Sequence, residues 1–275
     1  MVVDGRQIAH DLKRQLGKQF QGLSRRLSLA VIQTGDDFVT QKYISIKEAA
    51  AHELGVEFKL IQLEHRAKTE DVLRELLHAA RRHDGVVVQM PLSHNVDVDA
   101  VRQIMPITHD VDVFGNTAFV QFQEKRLPIL PPVVGAISEI LKRHEITVAG
   151  KKVVVLGEGR LVGIPSAIWA ERMGAFVQTL NRDTADIAAS TKEADILILG
   201  AGAPGLITSD KIKDGVIIMD AGTTEASGKL KGDADPSCAE KAALITPVPG
   251  GIGPISIAKL FENLLVLTLK RSERR

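Results

Sequence analysis

Residues 152–165 read KVVVLGEGRLVGIP, and this stretch decides the class of fold. Its first half, KVVVLG (152–157), is a short apolar run rich in β-branched residues, the composition of a buried strand. Gly157 and Gly159 then turn the chain into a predicted helix at 162–173. Such a turn lets backbone N–H groups and a helix N-terminus approach phosphates. The glycines stand at 157, 159 and 163, which is not the GxGxxG spacing. Taken alone, the stretch leaves open a nucleotide site or a merely structural turn.

Working outward, AFVQTL (175–180), DILILG (195–200) and VIIMD (216–220) are further apolar strands, and the alternation implies a parallel sheet. Their continuations, NRD, AGAPG and AGTTE, are small, polar or glycine-rich, which puts a crevice at the carboxyl edge and favours a nucleotide. ALITPVPGGIGP (243–254) leads into a final amphipathic helix over about 255–269. Upstream, a helix is predicted at 135–145, and 119–134, with Pro128, Pro131 and Pro132, reads as a linker. Before that, Ile8, Leu12, Leu16, Phe20 and Leu23 recur at helical spacing. LSLAVIQ (27–33), VEFKLIQL (56–63) and VVVQM (86–90) are predicted strands. The segments between them are predicted helices, at about 37–54 and from an N-cap at Thr69 to Arg82. The chain therefore reads as α/β with two domains, 1–130 and 131–254.

The 275 residues carry 35 Lys and Arg against 34 Asp and Glu, so charge gives no case for nucleic acid or an anionic membrane as partner. Cys238 is the single cysteine, which rules out an intrachain disulfide and fits a reducing compartment. The first residues lack an apolar signal core, and no unbroken apolar run approaches the ~20 residues that cross a bilayer. A cytoplasmic protein without a membrane partner is expected.

In the first domain, Tyr43 and Lys47 are four apart on a predicted helix and share a face. They are either part of a site or a packed ring and a solvated charge. Gln89 ends the strand VVVQM, at the carboxyl edge where parallel sheets place their sites; its plain alternative is a strand terminus meeting water. Asp110 and Asp112, in HDVDVFGN, are open to three readings: ligands, loop caps or surface charges. No His or further carboxylate completes a metal set around them, so no metal is expected.

Tyr43, Lys47, VVVQMPL, DVD, VGIP and ITPVPGGIGPISIAKL together resemble, in order and spacing, the FolD family of methylenetetrahydrofolate dehydrogenase/cyclohydrolases. The resemblance runs from about Asp4 to Leu264, and TPVPGGxGP before a helix is its most specific element. It implies an N-terminal folate-binding catalytic domain and a C-terminal Rossmann-like NAD(P)-binding domain with a cleft between them. It also implies that the last helix, 255–275, packs back on the first domain and that homodimers form through the second. Carried over by position, Lys47 is the catalytic lysine, Gln89 the glutamine bonded to it, Tyr43 the tyrosine beside the folate and Asp112 the carboxylate that holds the pterin. Val88, Met90 and the run Pro249, Gly250, Gly251, Ile252, Gly253, Pro254 would line the folate pocket. Gly157, Glu158, Gly159, Arg182 and Thr223 would hold the cofactor, expected to be NADP, with NAD the alternative. The sequence departs from the family at several flanking positions. PAS is replaced by Phe38, Val39 and Thr40, and the last residue of KDVDG by Val113. Arg-Ser after Gly157 is replaced by Glu158 and Gly159, and the asparagine of VGIN by Thr224.

The implied chemistry suits these side chains. One carboxylate can accept both the ring N–H and the amino group of a pterin. Oxidation of the methylene carbon needs a nicotinamide held close rather than a strong base. Water attack on the methenyl product needs a base, and a lysine near a cation and out of water has its pKa lowered toward that task. His109 is a rival base by residue type, read here as a surface or capping residue. The alternatives are a dehydrogenase with weak cyclohydrolase activity, a folate- or nucleotide-binding homodimer without turnover, and a shikimate-type dehydrogenase; the last leaves TPVPGGIGP unexplained.

Overall fold

A computed structural model of the chain describes residues 1–35, 38–226 and 229–273. They form two compact units, His10–Pro132 with Ile257–Arg275, and Met1–Ala9 with Val133–Ser256.

The first stretch of chain contains α1 (Gly5–Gln21), β1 (Ser28–Thr34), α2 (Phe38–Leu54), β2 (Glu57–Leu63), α3 (Thr69–Arg82), β3 (Gly85–Val88), α4 (Val98–Ile104) and α5 (Asn116–Gln123). The predicted first residue of α2, Asp37, lies outside the described residues. The three strands make a parallel sheet in the order β2-β1-β3, with Ile32 level with Ile61 on one side and Val88 on the other. Central strand β1 is buried along its whole length, as expected of a parallel strand with both faces covered. On one face Ala30, Ile32, Val86 and Val88 pack with Val72, Leu76 and Ala79 of α3. Those three helix positions recur at i, i+4 and i+7, and each large side chain so buried contributes roughly 1.5–3 kcal/mol. Gly85 is required where it stands: a Cβ there would lie 2.7 Å from both Leu264 and Val111.

The second stretch contains α6 (Pro132–Arg143), β4 (Lys152–Leu156), α7 (Gly163–Arg172), β5 (Phe176–Leu180), α8 (Ile187–Thr191), β6 (Ile196–Leu199), β7 (Ile217–Asp220), β8 (Thr224–Ala226), β9 (Lys229–Lys231), β10 (Leu244–Ile245) and α9 (Ile252–Ser272). Five strands form a parallel sheet in the order β10-β7-β6-β4-β5, while β8 and β9 pair antiparallel. Strand order reverses at β4, whose two neighbours are β5 and β6. The carboxyl end of β4 is therefore the switch point at which open α/β sheets bind ligands.

Several boundaries differ from the sequence reading. The linker expected over 119–134 is irregular only from 124 to 131. Residues 116–123 contain no proline, and Ala118, Phe119 and Phe122 bury one side of α5. Pro132 opens α6 rather than ending a linker, because a helix's first residue needs no N–H donor. Helix α3 is capped at Lys68, not Thr69: Asp71 accepts the Lys68 N–H at 3.0 Å, while Thr69 Oγ1 accepts the Asp97 N–H at 2.9 Å.

Helix α9 begins at Ile252 and, although polar residues interrupt it, is long and apolar enough by composition to cross a bilayer. Its apolar surface is instead largely core. Ile255, Phe261 and Leu264 are fully buried, and Asn263 Nδ2 donates to the carbonyls of Val111 and Leu130 at 2.9 Å.

Candidate functional site

The first constellation lies at the carboxyl edge of the three-stranded sheet. Helix α2 carries Tyr43 and Lys47, both half-buried, one turn apart. Strand β3 ends at Val88, and the next residue is Gln89, whose N–H donates to the Ile32 carbonyl at 2.8 Å. Lys47 Nζ donates to Gln89 Oε1 at 2.7 Å. Gln89 Nε2 in turn donates to the Met90 carbonyl at 2.9 Å, so the side-chain amide is held at both ends. The loop beyond is pinned by Ser93 N–H donating to Thr34 Oγ1 at 2.7 Å.

Burial lowers the Lys47 pKa from 10.5, and Asp112 partly opposes this by attraction. Burial likewise raises Asp112 from 3.8, with Lys47 opposing. Lys47, Gln89, Met90 and Asp112 are thus joined by two hydrogen bonds and one ion–ion interaction, and Tyr43 shares the helix face of Lys47.

The two carboxylates of DVD have separate fates. Asp110 is fully buried and accepts from Phe114 N at 3.0 Å and Gly115 N at 2.8 Å, which makes it the cap of the turn that follows. Burial pushes it up to about 7 against those two donors. The open choice for Asp110 therefore resolves to a loop cap, while Asp112 is the member of the pair coupled to Lys47. Val113 follows at φ 56° with its side chain buried, in the left-handed region that favours glycine. His109 is no rival base. Its Nδ1 pairs with Thr108 Oγ1 at 3.0 Å, and burial, with Arg271 nearby, pushes it down to about 4.

In the other unit the turn after β4 is built on close approach. A Cβ at Gly157 (φ 100°) would lie 2.4 Å from the Gly200 carbonyl oxygen, and one at Gly163 would lie 1.8 Å from that of Gly157. The ends of β4, β6 and α7 therefore meet with no side chain between them. By contrast, nothing lies within 4 Å of where a Gly159 Cβ would stand, so that position is open toward solvent. The ten-residue α7 has no side-chain cap at its N-terminus. Open space and a helix N-terminus without a side-chain cap are what a pyrophosphate requires. Glu158 accepts from Asn181 Nδ2 at 3.0 Å, which ties the turn to the end of β5 beside exposed Arg182. Thr223 is exposed, and its neighbour Thr224 donates Oγ1 to the Gly202 carbonyl at 3.0 Å.

Two carboxylates that the sequence reading passed over organise this edge. Asp233 accepts from the N–H groups of Ala201, Gly202 and Ala203, and Asp220 from those of Gly222, Asp233 and Ala234. Burial, with Asp233 nearby, pushes Asp220 up to about 6. The signal available was an aspartate ending the apolar run VIIMD, where a buried strand would otherwise continue.

The segment 249–254 belongs to the same unit. Gly250 takes φ 109°, and Gly251 N–H donates to the Pro247 carbonyl at 2.8 Å. A Cβ on Gly5 would lie 1.9 Å from the Gly251 carbonyl oxygen. Ile252, Gly253 and Pro254 form the first turn of α9 instead of preceding the helix.

Residues 3–112 match the catalytic domain, and residues 131–272 the NAD(P)-binding domain, of the tetrahydrofolate dehydrogenase/cyclohydrolase family. The chain is 35% identical over 272 residues to the bifunctional protein FolD of Staphylococcus aureus, covering 96% of this chain and 95% of that one. Its structure is similar to that of the bifunctional enzyme FolD from Campylobacter jejuni, with TM-score 0.94, 31% identity and coverage of 98% and 99%. It is also similar to the FolD of Trypanosoma brucei in complex with NADP cofactor and inhibitor, with TM-score 0.93, 31% identity and coverage of 100% and 99%. With both halves matched along nearly the whole chain, the protein belongs to the tetrahydrofolate dehydrogenase/cyclohydrolase family.

Proposed function

We propose that this enzyme oxidises 5,10-methylenetetrahydrofolate to the methenyl compound with NADP and then hydrolyses the product to 10-formyltetrahydrofolate. The observation that carries the reading is the buried Lys47 amine, bonded to Gln89 at 2.7 Å and coupled to Asp112. A lysine with a lowered pKa on the same edge as a carboxylate suits a folate reaction that needs both a base and an anchor.

Asp112 accepts the two adjacent N–H groups of the pterin and fixes the orientation of the substrate. Tyr43 packs beside the folate, and the backbone at Val88 and Met90 completes the contacts within this unit. The turn Gly157–Gly159, with Arg182 and Thr223, holds the dinucleotide. When bound, the dinucleotide supplies the acceptor for the hydride. Positive charge on the methenyl carbon and its two nitrogens then lowers the Lys47 pKa further, since like charges disfavour each other. Neutral Lys47 takes a proton from the water that attacks that carbon. Gln89 orients the amine, because its carbonyl accepts one ammonium or amine hydrogen and leaves the lone pair free to turn toward the water.

We further propose a homodimer through the edge strand β5. Phe176 is 73% exposed there, with Met173 at 48% and Leu161 and Ile164 also exposed, a group of large apolar side chains on one unit. Phe176→Glu is expected to convert a dimer to a monomer in light scattering; an unchanged mass would remove this edge from the interface. A reducing cytoplasm suits the buried, lone Cys238.

A two-wavelength assay tests the activity, following reduced nicotinamide and methenyl-folate after methylenetetrahydrofolate is added with NADP or NAD. Both signals should rise, the methenyl signal then decaying. A folded sample that reduces neither dinucleotide would leave a binding protein in place of the enzyme.

A further inference from the structure

We propose that the chain carries a second ligand site, for a small polyanion bearing two or more phosphate groups, at the amino edge of the three-stranded sheet. There the residues just ahead of β3 and the last turns of α3 and α9 line a cavity of about 520 Å³. That volume falls among small-molecule pockets, roughly 300–1,000 Å³. The lining is basic: Arg25, Arg81, Arg82 and Arg271 stand against the single carboxylate of Asp84, with His83 beside them. It lies at the opposite end of β3 from Gln89.

The internal ion pairs account for only part of this charge. Asp84 is saturated by the forked guanidinium of Arg25, by Ser28 N–H at 3.0 Å and by Arg271 at 3.4 Å. Arg271 is committed as well, donating to the carbonyls of Thr108 and Asp84. Among the described residues neither Arg81 nor Arg82 forms an ion pair with a carboxylate. Glu57 and Lys59, the other side-chain charges acting on His83, oppose each other. Nδ1 of His83 is buried and has no hydrogen-bond partner.

The C-terminal dipole of α3 explains two arginines in its last turn. It does not explain why they border a cavity or why an imidazole nitrogen there is left without a partner. Two guanidinium groups without a carboxylate partner, bordering one cavity beside His83, are completed by a ligand rich in acceptor oxygens. A metal cation is excluded by the surplus of positive charge. A single recess of this size, open on one side, in place of a long basic stripe, selects a small anion over a nucleic-acid backbone.

Pyrophosphate is the probe. It is titrated into the full chain in the presence of saturating NADP, so that phosphate positions in the dinucleotide unit are filled. Binding is followed by calorimetry and by the ¹⁵N-imidazole resonances of His83. The expected result is one saturable site that shifts the His83 resonances, binds orthophosphate more weakly, and loses at least tenfold in affinity in the Arg81→Ala/Arg82→Ala double variant. Folate-dependent turnover without pyrophosphate should be unchanged in that variant. His83 shifts reproduced by sodium chloride at matched ionic strength would overturn the proposal, as would equal affinity in the double variant.

Discussion

Replacing Lys47 by Met separates the two reactions. The unbranched thioether fills nearly the space of the lysine stem, so packing on α2 is kept, while the amine that donates to Gln89 at 2.7 Å is removed. The stability effects partly offset each other. The Gln89 carbonyl loses a partner, which costs about 1 kcal/mol. A buried cation whose pKa is lowered destabilises the folded state at every pH below its folded pKa, and the variant escapes that cost. At pH 7 the variant should therefore unfold near the wild-type temperature. Activity should change far more. General-base assistance is worth about 10²–10⁴-fold, or roughly 2.7–5.5 kcal/mol of barrier. Hydrolysis of methenyltetrahydrofolate, corrected for the spontaneous reaction, should fall by that factor, whereas hydride transfer to NADP should fall far less. The sign of the pH dependence follows from the same group. The base is neutral only above its folded pKa, so wild-type hydrolysis should rise with pH through a midpoint below 10.5. In Lys47→Met that limb should vanish. A variant that hydrolyses the methenyl compound within about threefold of wild type, or that keeps the same rising limb, would show that another group takes the proton.

Asp112→Ala should weaken folate binding about ten- to a hundredfold in both reactions, the equivalent of one charged hydrogen bond of roughly 1.5–3 kcal/mol, measured by equilibrium titration of the folate. The same variant removes the charge that raises the Lys47 pKa, so the midpoint of its hydrolysis profile should move down. Arg182→Ala should lose most of the preference for NADP in kcat/KM. Glu158→Ser should strengthen it, since Glu158 is held by Asn181 beside the expected ribose-phosphate position; a wild type that prefers NAD with Arg182→Ala unchanged would assign the choice to Glu158. Val113→Gly should be no more destabilising than Val113→Ala in denaturant titration, because relief of a left-handed β-branched backbone, about 1–2 kcal/mol, offsets the extra lost methyl group and the chain entropy. At a buried strand position the order would be reversed.

Much of the fold was legible because its signals are local. Apolar runs such as VVVL and ILIL are buried on both faces of a parallel sheet, and they announce themselves by composition. The short helices α4 and α5 were not legible, since seven or eight residues complete barely two turns and give periodicity little room to register. Three prolines made 119–134 look like one linker, although proline breaks a helix only in its interior and Pro132 stands at a helix start. The two-residue strand β10 is set by its partner β7, through Leu244 opposite Ile217, and no pattern of two residues can declare that.

The site shows where local reading ends. Tyr43 and Lys47 were placed together by helical spacing, and Gln89 by its position after a strand, but the bond from Lys47 to Gln89 spans 42 residues and depends on β3 lying beside β1. DVD is the sharper case. Period-two spacing makes Asp110 and Asp112 equivalent, two carboxylates on one face of an extended chain. The equivalence fails because only Asp110 is held in register, by a single bridge to Val86, and the chain then turns. Asp110 faces the amides of that turn, and its oxygens accept from residues 114 and 115. Asp112 precedes Val113, whose left-handed backbone breaks the alternation, and it is the carboxylate left to act on Lys47. The glycine expected at 113 would reach this conformation freely, so the valine found there keeps the same turn at a cost in strain. That a β-branched residue is tolerated implies that the turn is dictated from outside, by Asp110 and by Asn263 holding the Val111 carbonyl at 2.9 Å, rather than by the preference of the residue at its centre.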